Sequence, residues 1–392
     1  MKNLIKNLKI KRRAVATLAA MHFYGNPSAK LKIVGVTGTN GKTTTATLLY
    51  KISTALGYKA GLIGTVENII VAERRPATHT TPGPIALNKL LKEMGDRGCE
   101  YVFMEVSSHA IDQNRIAGIN FAGGIFTNLT HDHLDYHKSI ENYFLAKKKF
   151  FDMLPAGAFA LSNADDEHGQ AMVKDTKAKK YFYGFKNKAD FTERMKTPLL
   201  GEFNAYNTLG VFATSKLLGF KEEKVREILK NITPPAGRFE HFISPSGVIG
   251  VVDFAHTPDA IEKVILTARG VVKGDGRIIS VFGCGGDRDP MKRRVMGKIG
   301  ATLSDIAIFT SDNPRSENPE KIIAEMKTDL SMSEVSKIKV QADRGEAIKE
   351  AGKIAKQGDI VLLMGKGHET YQEIRGTKYP WSEMEKLKQA LN

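Results

Sequence analysis

Val34-Gly35-Val36-Thr37-Gly38-Thr39-Asn40-Gly41-Lys42-Thr43-Thr44-Thr45 is the stretch on which the fold turns. Leu31 to Val36 reads as a buried strand running into it. After it, Leu48, Leu49, Ile52 and Leu56 recur at helical spacing, so Lys42 to Leu56 reads as a helix. Strand, glycine turn and helix in that order make a phosphate cradle. Glycine lets the backbone close on an anion, and successive N–H groups at a helix N-terminus form a nest for it. Lys42 would reach the β- and γ-phosphates of a nucleotide, and the Thr43 hydroxyl would ligate Mg2+. The common form of the motif has glycine five residues before Gly41, where Val36 stands; Gly35 comes one residue early.

Working outward, Ala60–Ile63, Tyr101–Val106, Gly124–Phe126 and Phe159–Leu161 read as further strands. Helical patterns lie between them, as in Pro84–Glu93 and Ile140–Leu154. Such alternation predicts a mostly parallel sheet with helices on both faces. A Pro/Gly-rich break, Asn231 to Arg238, marks a boundary. Beyond it Val248–Phe254, Arg277–Phe282, Ile306–Thr310, Lys337–Gln341 and Ile360–Met364 repeat the pattern. The expected class is α/β: a P-loop-type, mostly parallel central ATP-binding domain over 31–235, then a Rossmann-like doubly wound domain over 236–392. Pro234 to Arg238 is the expected hinge.

The 392 residues carry 58 Lys/Arg against 43 Asp/Glu, a net charge of +15. The surplus is concentrated at the start: no acidic residue precedes Glu67, whereas Met1 to Val66 holds 11 Lys/Arg. Anionic partners are implied, and without a nucleic-acid-binding motif small phosphorylated molecules lead. Two distant cysteines, Cys99 and Cys284, give no disulfide framework and suit a reducing compartment, the cytoplasm. No apolar run reaches the roughly 18 residues of a membrane span. The basic start, with a weak alanine-rich run from Ala14 to Met21, is read as a helix packing on the next domain rather than an export signal. Contact with anionic lipid or a partner protein through residues 1–13 is the other reading. A monomer is expected.

Phe103-Met104-Glu105-Val106-Ser107-Ser108-His109 places a carboxylate at a strand end, within reach of a nucleotide's Mg2+ in the same sheet. Alone the signal is weak, because a strand-end glutamate is more often a solvated rim residue. From His131 to His137 three histidines and two aspartates fall in seven residues. Each alone is an ordinary loop or capping residue; together they suggest metal or phosphate chemistry, with zinc disfavoured because no cysteine accompanies them. Tyr143-Phe144-Leu145-Ala146-Lys147-Lys148-Lys149-Phe150 reads as a helix with one lysine among apolar neighbours, and spacing alone does not choose which. In the second domain Phe282–Asp289, Ser311–Arg315 and Gly365–Glu369 all follow strands. Two arginines and a glutamate at strand C-ends suit a ligand with carboxylate and ammonium groups, an amino acid.

T-G-T-N-G-K-T-T, M-E-V-S-S-H, T-N-L-T-H-D-H-L-D-Y-H, N-A-D-D, G-x-F-N-x-x-N, D-F-A-H-T-P-D, F-G-C-G-G-D-R-D, D-N-P-R and G-K-G-H-E occur here in an order that resembles the Mur ligases. The resemblance runs from about Arg12 to the C-terminus and is strongest to the branch adding the third residue of the peptidoglycan peptide. Its glycine loop is spelled T-G-T-N-G-K-T, so the displaced glycine is a family trait.

The resemblance implies ATP-dependent amide-bond formation through an acyl phosphate, in the cytoplasm. It makes Gly38, Thr39, Asn40, Gly41, Lys42, Thr43 and Thr44 the ATP loop. Asn204, Asn207, Arg238 and Asp253 fall around the nucleotide. Lys42, Glu105, His133 and Lys147 match catalytic positions, with Thr43, Glu105, His133 and Lys147 at two Mg2+ sites. Lys147, fourteen residues after His133, matches a lysine that the family carbamylates. Thr80, Thr81, Ser107, Gln113 and Arg115 match contacts to a muramoyl dipeptide. Arg288, Asp312, Asn313, Arg315, Gly365 and Glu369 would hold the incoming amino acid. D-N-P-R marks members that take meso-diaminopimelate, whose extra carboxylate an arginine suits. The departure is at the start: only a closing helix and linker, within residues 1–30, match the family's N-terminal uridine-diphosphate-binding domain. The expectation is a natural truncation or a divergent lineage, which puts binding of the uridine diphosphate in question. Other carriers (pseudomurein, muropeptide or poly-amino-acid), a non-catalytic cell-wall protein and a generic phosphate-loop ATPase or kinase are the competing readings.

Overall fold

The computed structural model of the chain describes Val15 and Thr17–Asn392. The basic segment 1–13, read above as a docking or lipid-contacting helix, lies outside the described residues. Two compact units emerge: one through Leu199 with Phe203–Thr233, the other Pro234–Asn392 with Leu200–Glu202.

The first unit is built on eight strands: β1 (Lys32–Thr37), β2 (Ala60–Ile63), β3 (Glu67–Ile70), β4 (Glu73–Pro76), β5 (Tyr101–Glu105), β6 (Phe121–Phe126), β7 (Phe159–Asn163) and β8 (Lys179–Tyr183). They form one sheet in the order β4-β3-β2-β5-β1-β6-β7-β8. All neighbours from β2 to β8 run parallel. β3 and β4 extend it antiparallel at one edge. Helices cover both faces, as continuous apolar runs in β1 and β5 require. The central trio β5-β1-β6 positions the site. The chain switches from one side of β1 to the other between β5 and β6, and open parallel sheets bind ligands at the C-ends beside such a switch.

Two small residues bring one helix close to that trio. A Cβ on Gly35 of β1 would lie 2.5 Å from the Phe150 ring, and one on Gly124 of β6 2.8 Å from it. The helix Ile140–Asp152 therefore beds its Tyr143, Ala146, Lys147, Phe150 and Phe151 face on the sheet. Ser139 caps its start, accepting a bond from Asn142 N–H at 3.1 Å.

The second unit holds β9 (Glu240–Ile243), β10 (Ile249–Asp253), β11 (Ile278–Phe282), β12 (Ile306–Phe309), β13 (Ile338–Val340) and β14 (Ile360–Met364). The order is β13-β12-β11-β14-β10-β9, parallel except for the edge strand β9. A hairpin, β15 (Tyr371–Ile374) and β16 (Thr377–Pro380), follows β14. β11, β12 and β14 are adjacent, so the three chemistry-bearing loops after them gather at one end. Among the described residues no helix is long and apolar enough to cross a membrane.

Candidate active site

The glycine loop between β1 and the helix Lys42–Ala55 is stitched to the loop after β6. Thr39 N–H donates to the Asn128 carbonyl at 2.8 Å, and Asn40 N–H to Asn128 Oδ1 at 3.0 Å. The Thr127 hydroxyl returns a 2.6 Å bond to the Asn40 carbonyl. Only glycine fits at two places. Gly38 has φ 151°, and a Cβ there would lie 1.9 Å from Thr127 Oγ1. Gly41 has φ 86°, and its Cβ would meet Asn207 Oδ1 at 2.4 Å. Asn207 thus packs on the loop, and its amide donates to Asn204 Oδ1 at 3.2 Å. Thr44 is buried in the first helical turn.

Glu105, at the C-end of β5, is buried and bonded on every side. Thr43 Oγ1 donates to its Oε2 at 3.0 Å. Thr65 donates from N–H to Oε1 at 2.7 Å and from its hydroxyl to Oε2 at 3.0 Å. Sequence reasoning missed Thr65, which sits in a loop with no motif around it. The Thr65 hydroxyl, its proton on Glu105, accepts from the Thr80 hydroxyl 3.0 Å away. Thr81 donates to the Glu105 carbonyl at 2.7 Å and accepts from Ser107 N–H at 3.1 Å. The Arg115 guanidinium donates to the Thr81 carbonyl at 2.9 Å and to Gln113 Oε1 at 2.8 Å. Thr80, Thr81, Ser107, Gln113 and Arg115 therefore form one polar rim next to Glu105.

Lys147 is the lysine that the helix buries. Lys148 instead pairs with Asp152 and Asp175, both at 2.7 Å, and Lys149 is exposed. Lys147 Nζ donates to the Gly38 carbonyl at 2.8 Å and lies 4.5 Å from the Tyr143 ring centroid. Lys42 Nζ donates to that same carbonyl at 2.8 Å and to the Thr39 carbonyl at 2.7 Å. Burial, and next the charge of Lys42, hold the Lys147 ammonium well below the usual lysine range, with Asp132 opposing. Tyr143, also missed from sequence, shares a 3.2 Å bond with Thr39 Oγ1, and burial pushes its phenol up.

His133 has a left-handed backbone, φ 54°. Burial brings its imidazole down to about 4 against the pull of Asp132, whose Oδ2 lies 3.6 Å from Nε2. It is therefore a neutral, ligand-competent ring at neutral pH. The dense stretch around it divides. His137 is buried, with Nε2 3.0 Å from Ser108 Oγ; the His109 ring packs against His133 at 5.0 Å and Tyr136 at 4.2 Å; His131 is exposed. Among the described residues no three His, Cys, Asp or Glu side chains converge as a ready metal cage. The hydroxyl of Thr43 against the Glu105 carboxylate is nonetheless a hard-oxygen pair, the donor type that Mg2+ takes while keeping waters.

In the second unit Asn313 and Glu369 join through a 2.8 Å bond from Nδ2 to Oε2. The fully buried Lys366 donates to both, at 2.9 Å to Asn313 Oδ1 and 2.8 Å to Glu369 Oε2. The G-K-G-H-E stretch contained Lys366, yet nothing in its spacing marked the lysine as the brace. Burial raises the Asp312 carboxyl, opposed by Lys366 and Arg344, and its Oδ2 lies 2.4 Å from where a Gly365 Cβ would stand. Arg315 (φ 51°) donates to the Gly286 carbonyl at 2.7 Å. Its guanidinium and the stem of the exposed Arg288 both flank Gly285. Arg238 lies over the Phe254 ring at 4.7 Å. Asp253 accepts from Phe239 and Ala255 N–H, each at 2.7 Å, while burial brings its carboxyl up to about 6 against the pull of Arg238.

Comparison with known proteins adds four findings. The Mur ligase middle domain matches residues 36–215, and the Mur ligase, glutamate ligase domain matches 237–367. The UDP-N-acetylmuramoyl-L-alanyl-D-glutamate--2,6-diaminopimelate ligase of Bacteroides thetaiotaomicron is 50% identical over 95% of this chain and 81% of its own length. A solved structure with that same enzyme name is 32% identical over 92% of this chain and 78% of its own, with TM-score 0.65. Mycobacterium tuberculosis folylpolyglutamate synthase, 16% identical at TM-score 0.72 over 90% of this chain and 92% of its own, shares the fold.

Proposed function

Because the chain belongs to the Mur ligase family, we propose that it is the ATP-dependent ligase that joins meso-diaminopimelate to the D-glutamyl carboxylate of a UDP-N-acetylmuramoyl-L-alanyl-D-glutamate substrate in peptidoglycan precursor synthesis. The observation that carries this is the match to a relative of that name, 50% identical across 95% of the chain. A cytoplasmic location, where ATP and the nucleotide-linked substrate are made, and action as a monomer are part of the proposal.

The reaction has two steps. A carboxylate oxygen of the acceptor attacks the γ-phosphorus of ATP and ADP leaves, giving an acyl phosphate. The amine of diaminopimelate then attacks the acyl carbon; phosphate departs with the transferred oxygen, and a proton is lost. Catalysis of this kind is mostly positioning and charge neutralisation.

The loop Gly38–Thr44 cradles the phosphates, with Lys42 as their counter-charge. A bound phosphate chain would draw Lys42 from the carbonyls it now caps. Asn207, packed on the loop, and Asn204, bonded to it, meet the rest of the nucleotide. Thr43, Glu105, His133 and a carbamylated Lys147 would hold Mg2+, which supplies Lewis-acid neutralisation of the phosphoryl oxygens. Carbamylation needs an uncharged amine, because the nitrogen lone pair attacks CO2 and a proton leaves. The burial of Lys147 beside Lys42 favours that form. Thr80, Thr81, Ser107, Gln113 and Arg115 face the acceptor peptide. Arg288, Asp312, Asn313, Arg315, Gly365 and Glu369 bind the amino acid, arginine to carboxylate and acidic group to ammonium.

Acceptor labelled with 18O in the D-glutamyl carboxylate tests the reaction path. One labelled oxygen is expected in the released phosphate for each amide formed; phosphate without label would refute the acyl phosphate.

A further inference from the structure

Arg344 opens the helix Arg344–Ile354 and has no accessible side-chain surface; neither has its partner Glu383. The pair is bidentate, Nε to Oε1 and Nη2 to Oε2, both at 2.8 Å. The rest of the guanidinium reaches two backbones: Nη1 donates to the Ser311 carbonyl at 3.2 Å and Nη2 to the Met364 carbonyl at 2.9 Å. Ser311 immediately precedes Asp312-Asn313-Pro314-Arg315, and Met364 immediately precedes Gly365-Lys366-Gly367-His368-Glu369. One rigid, planar group thus spans the roots of both loops proposed to grip the amino acid.

The partner carboxylate continues the connection. Glu383 Oε1 also accepts from Trp381 Nε1 at 2.6 Å, and the Trp381 N–H donates to the Thr370 carbonyl at 2.9 Å, one residue past Glu369. Trp381 is the only tryptophan in the chain. A buried ion pair is weak evidence for stability, since well-packed apolar residues of similar volume often do as well. Fixing the distance between two loops is work that apolar packing would not do, because it needs directed donors to two carbonyls.

We propose that Arg344, oriented by Glu383, is a positioning residue that sets the separation of the D-N-P-R and G-K-G-H-E loops, and that Trp381 senses occupancy of the subsite between them. The proposal rests on the assignment of those loops to diaminopimelate. A lysine at 344 keeps the charge but lacks the fork, so it cannot serve Glu383 and both carbonyls at once.

Steady-state kinetics on the full chain test it. R344K is expected to raise the KM for meso-diaminopimelate about 10- to 100-fold while the KM for ATP stays within about twofold. The double variant R344M/E383L should fold, because it replaces the pair by apolar groups, and should show the same selective defect. It keeps the question open to refutation if R344K does not fold. In the wild type, meso-diaminopimelate should change Trp381 emission with saturation, and L-lysine should not. Parallel loss for ATP and the amino acid, or a wild-type KM for diaminopimelate in R344M/E383L, would overturn the positioning role. Unchanged emission on saturation would overturn the sensing role. A wild type that never uses diaminopimelate would instead sink the proposed function, so the two failures are distinct.

Discussion

Two amines, Lys42 Nζ and Lys147 Nζ, donate to the one carbonyl oxygen of Gly38. Keeping both charged at that separation in a buried site is costly, which favours the neutral amine that the proposed carbamate requires. Lys147→Ala should lower kcat by roughly 10²–10³-fold, the usual cost of losing one group that stabilises transition-state charge. Lys148→Ala should leave turnover essentially intact and cost at most about 1 kcal/mol, since its pairs are at the surface. Equal losses in the two variants would reverse the assignment. The choice of lysine was not legible from spacing, because three consecutive lysines look alike until a helix face is known. Asp253 gives a pH prediction in the second unit. Its carboxyl titrates at about 6 in the folded chain, above the ordinary aspartate value. Between the two values the folded state holds the extra proton, so stability falls as pH rises through that window, by about 3 kcal/mol in all. Asp253→Asn should remove this slope: the wild-type melting temperature should drop relative to the variant from pH 4.5 to pH 7. Parallel curves would contradict the buried, proton-holding carboxyl.

At the scale of elements, the helix Ile140–Asp152 matters because its apolar face sets Lys147 against the loop. Phe150, one turn on from Lys147, fills the hollow over Gly35 and Gly124. Phe150→Ala should therefore cost about 3–5 kcal/mol and lower kcat as well, because the cavity loosens the lysine. A stability loss with unchanged kcat at a permissive temperature would separate the helix from the chemistry. The inner parallel strands were legible because buried runs such as Ile33–Val36 and Ile360–Met364 have no polar face to interrupt them. β3 and β4 were not. Glu67-Asn68-Ile69-Ile70, next to the edge, and Glu73-Arg74-Arg75-Pro76, at the edge, carry charges and a proline that leave no continuous apolar run to read. The polar rim was legible only through family motifs. Its bonds connect Thr65, Thr81, Glu105 and Arg115, which lie far apart in sequence and meet only once the strands are ordered.

For the whole molecule, one chain supplies two doubly wound units, with the proposed phosphate cradle in the first and the proposed amino-acid cradle in the second. A ligand that binds only the folded state stabilises it by mass action, so Mg-ATP at 100 times its Kd should stabilise the wild type by about 2.7 kcal/mol. Gly38→Ala should abolish that gain, because the new methyl would stand against Thr127 Oγ1. In the proposed reaction the first cradle drives amide formation with the ligand of the second. Phosphate release from ATP, measured with UDP-N-acetylmuramoyl-L-alanyl-D-glutamate as acceptor and with meso-diaminopimelate or L-lysine as the incoming amine, tests it most directly. Release should require the acceptor, be fast with meso-diaminopimelate and stay at background with L-lysine. Turnover with L-lysine alone, or release indifferent to the amine, would contradict it.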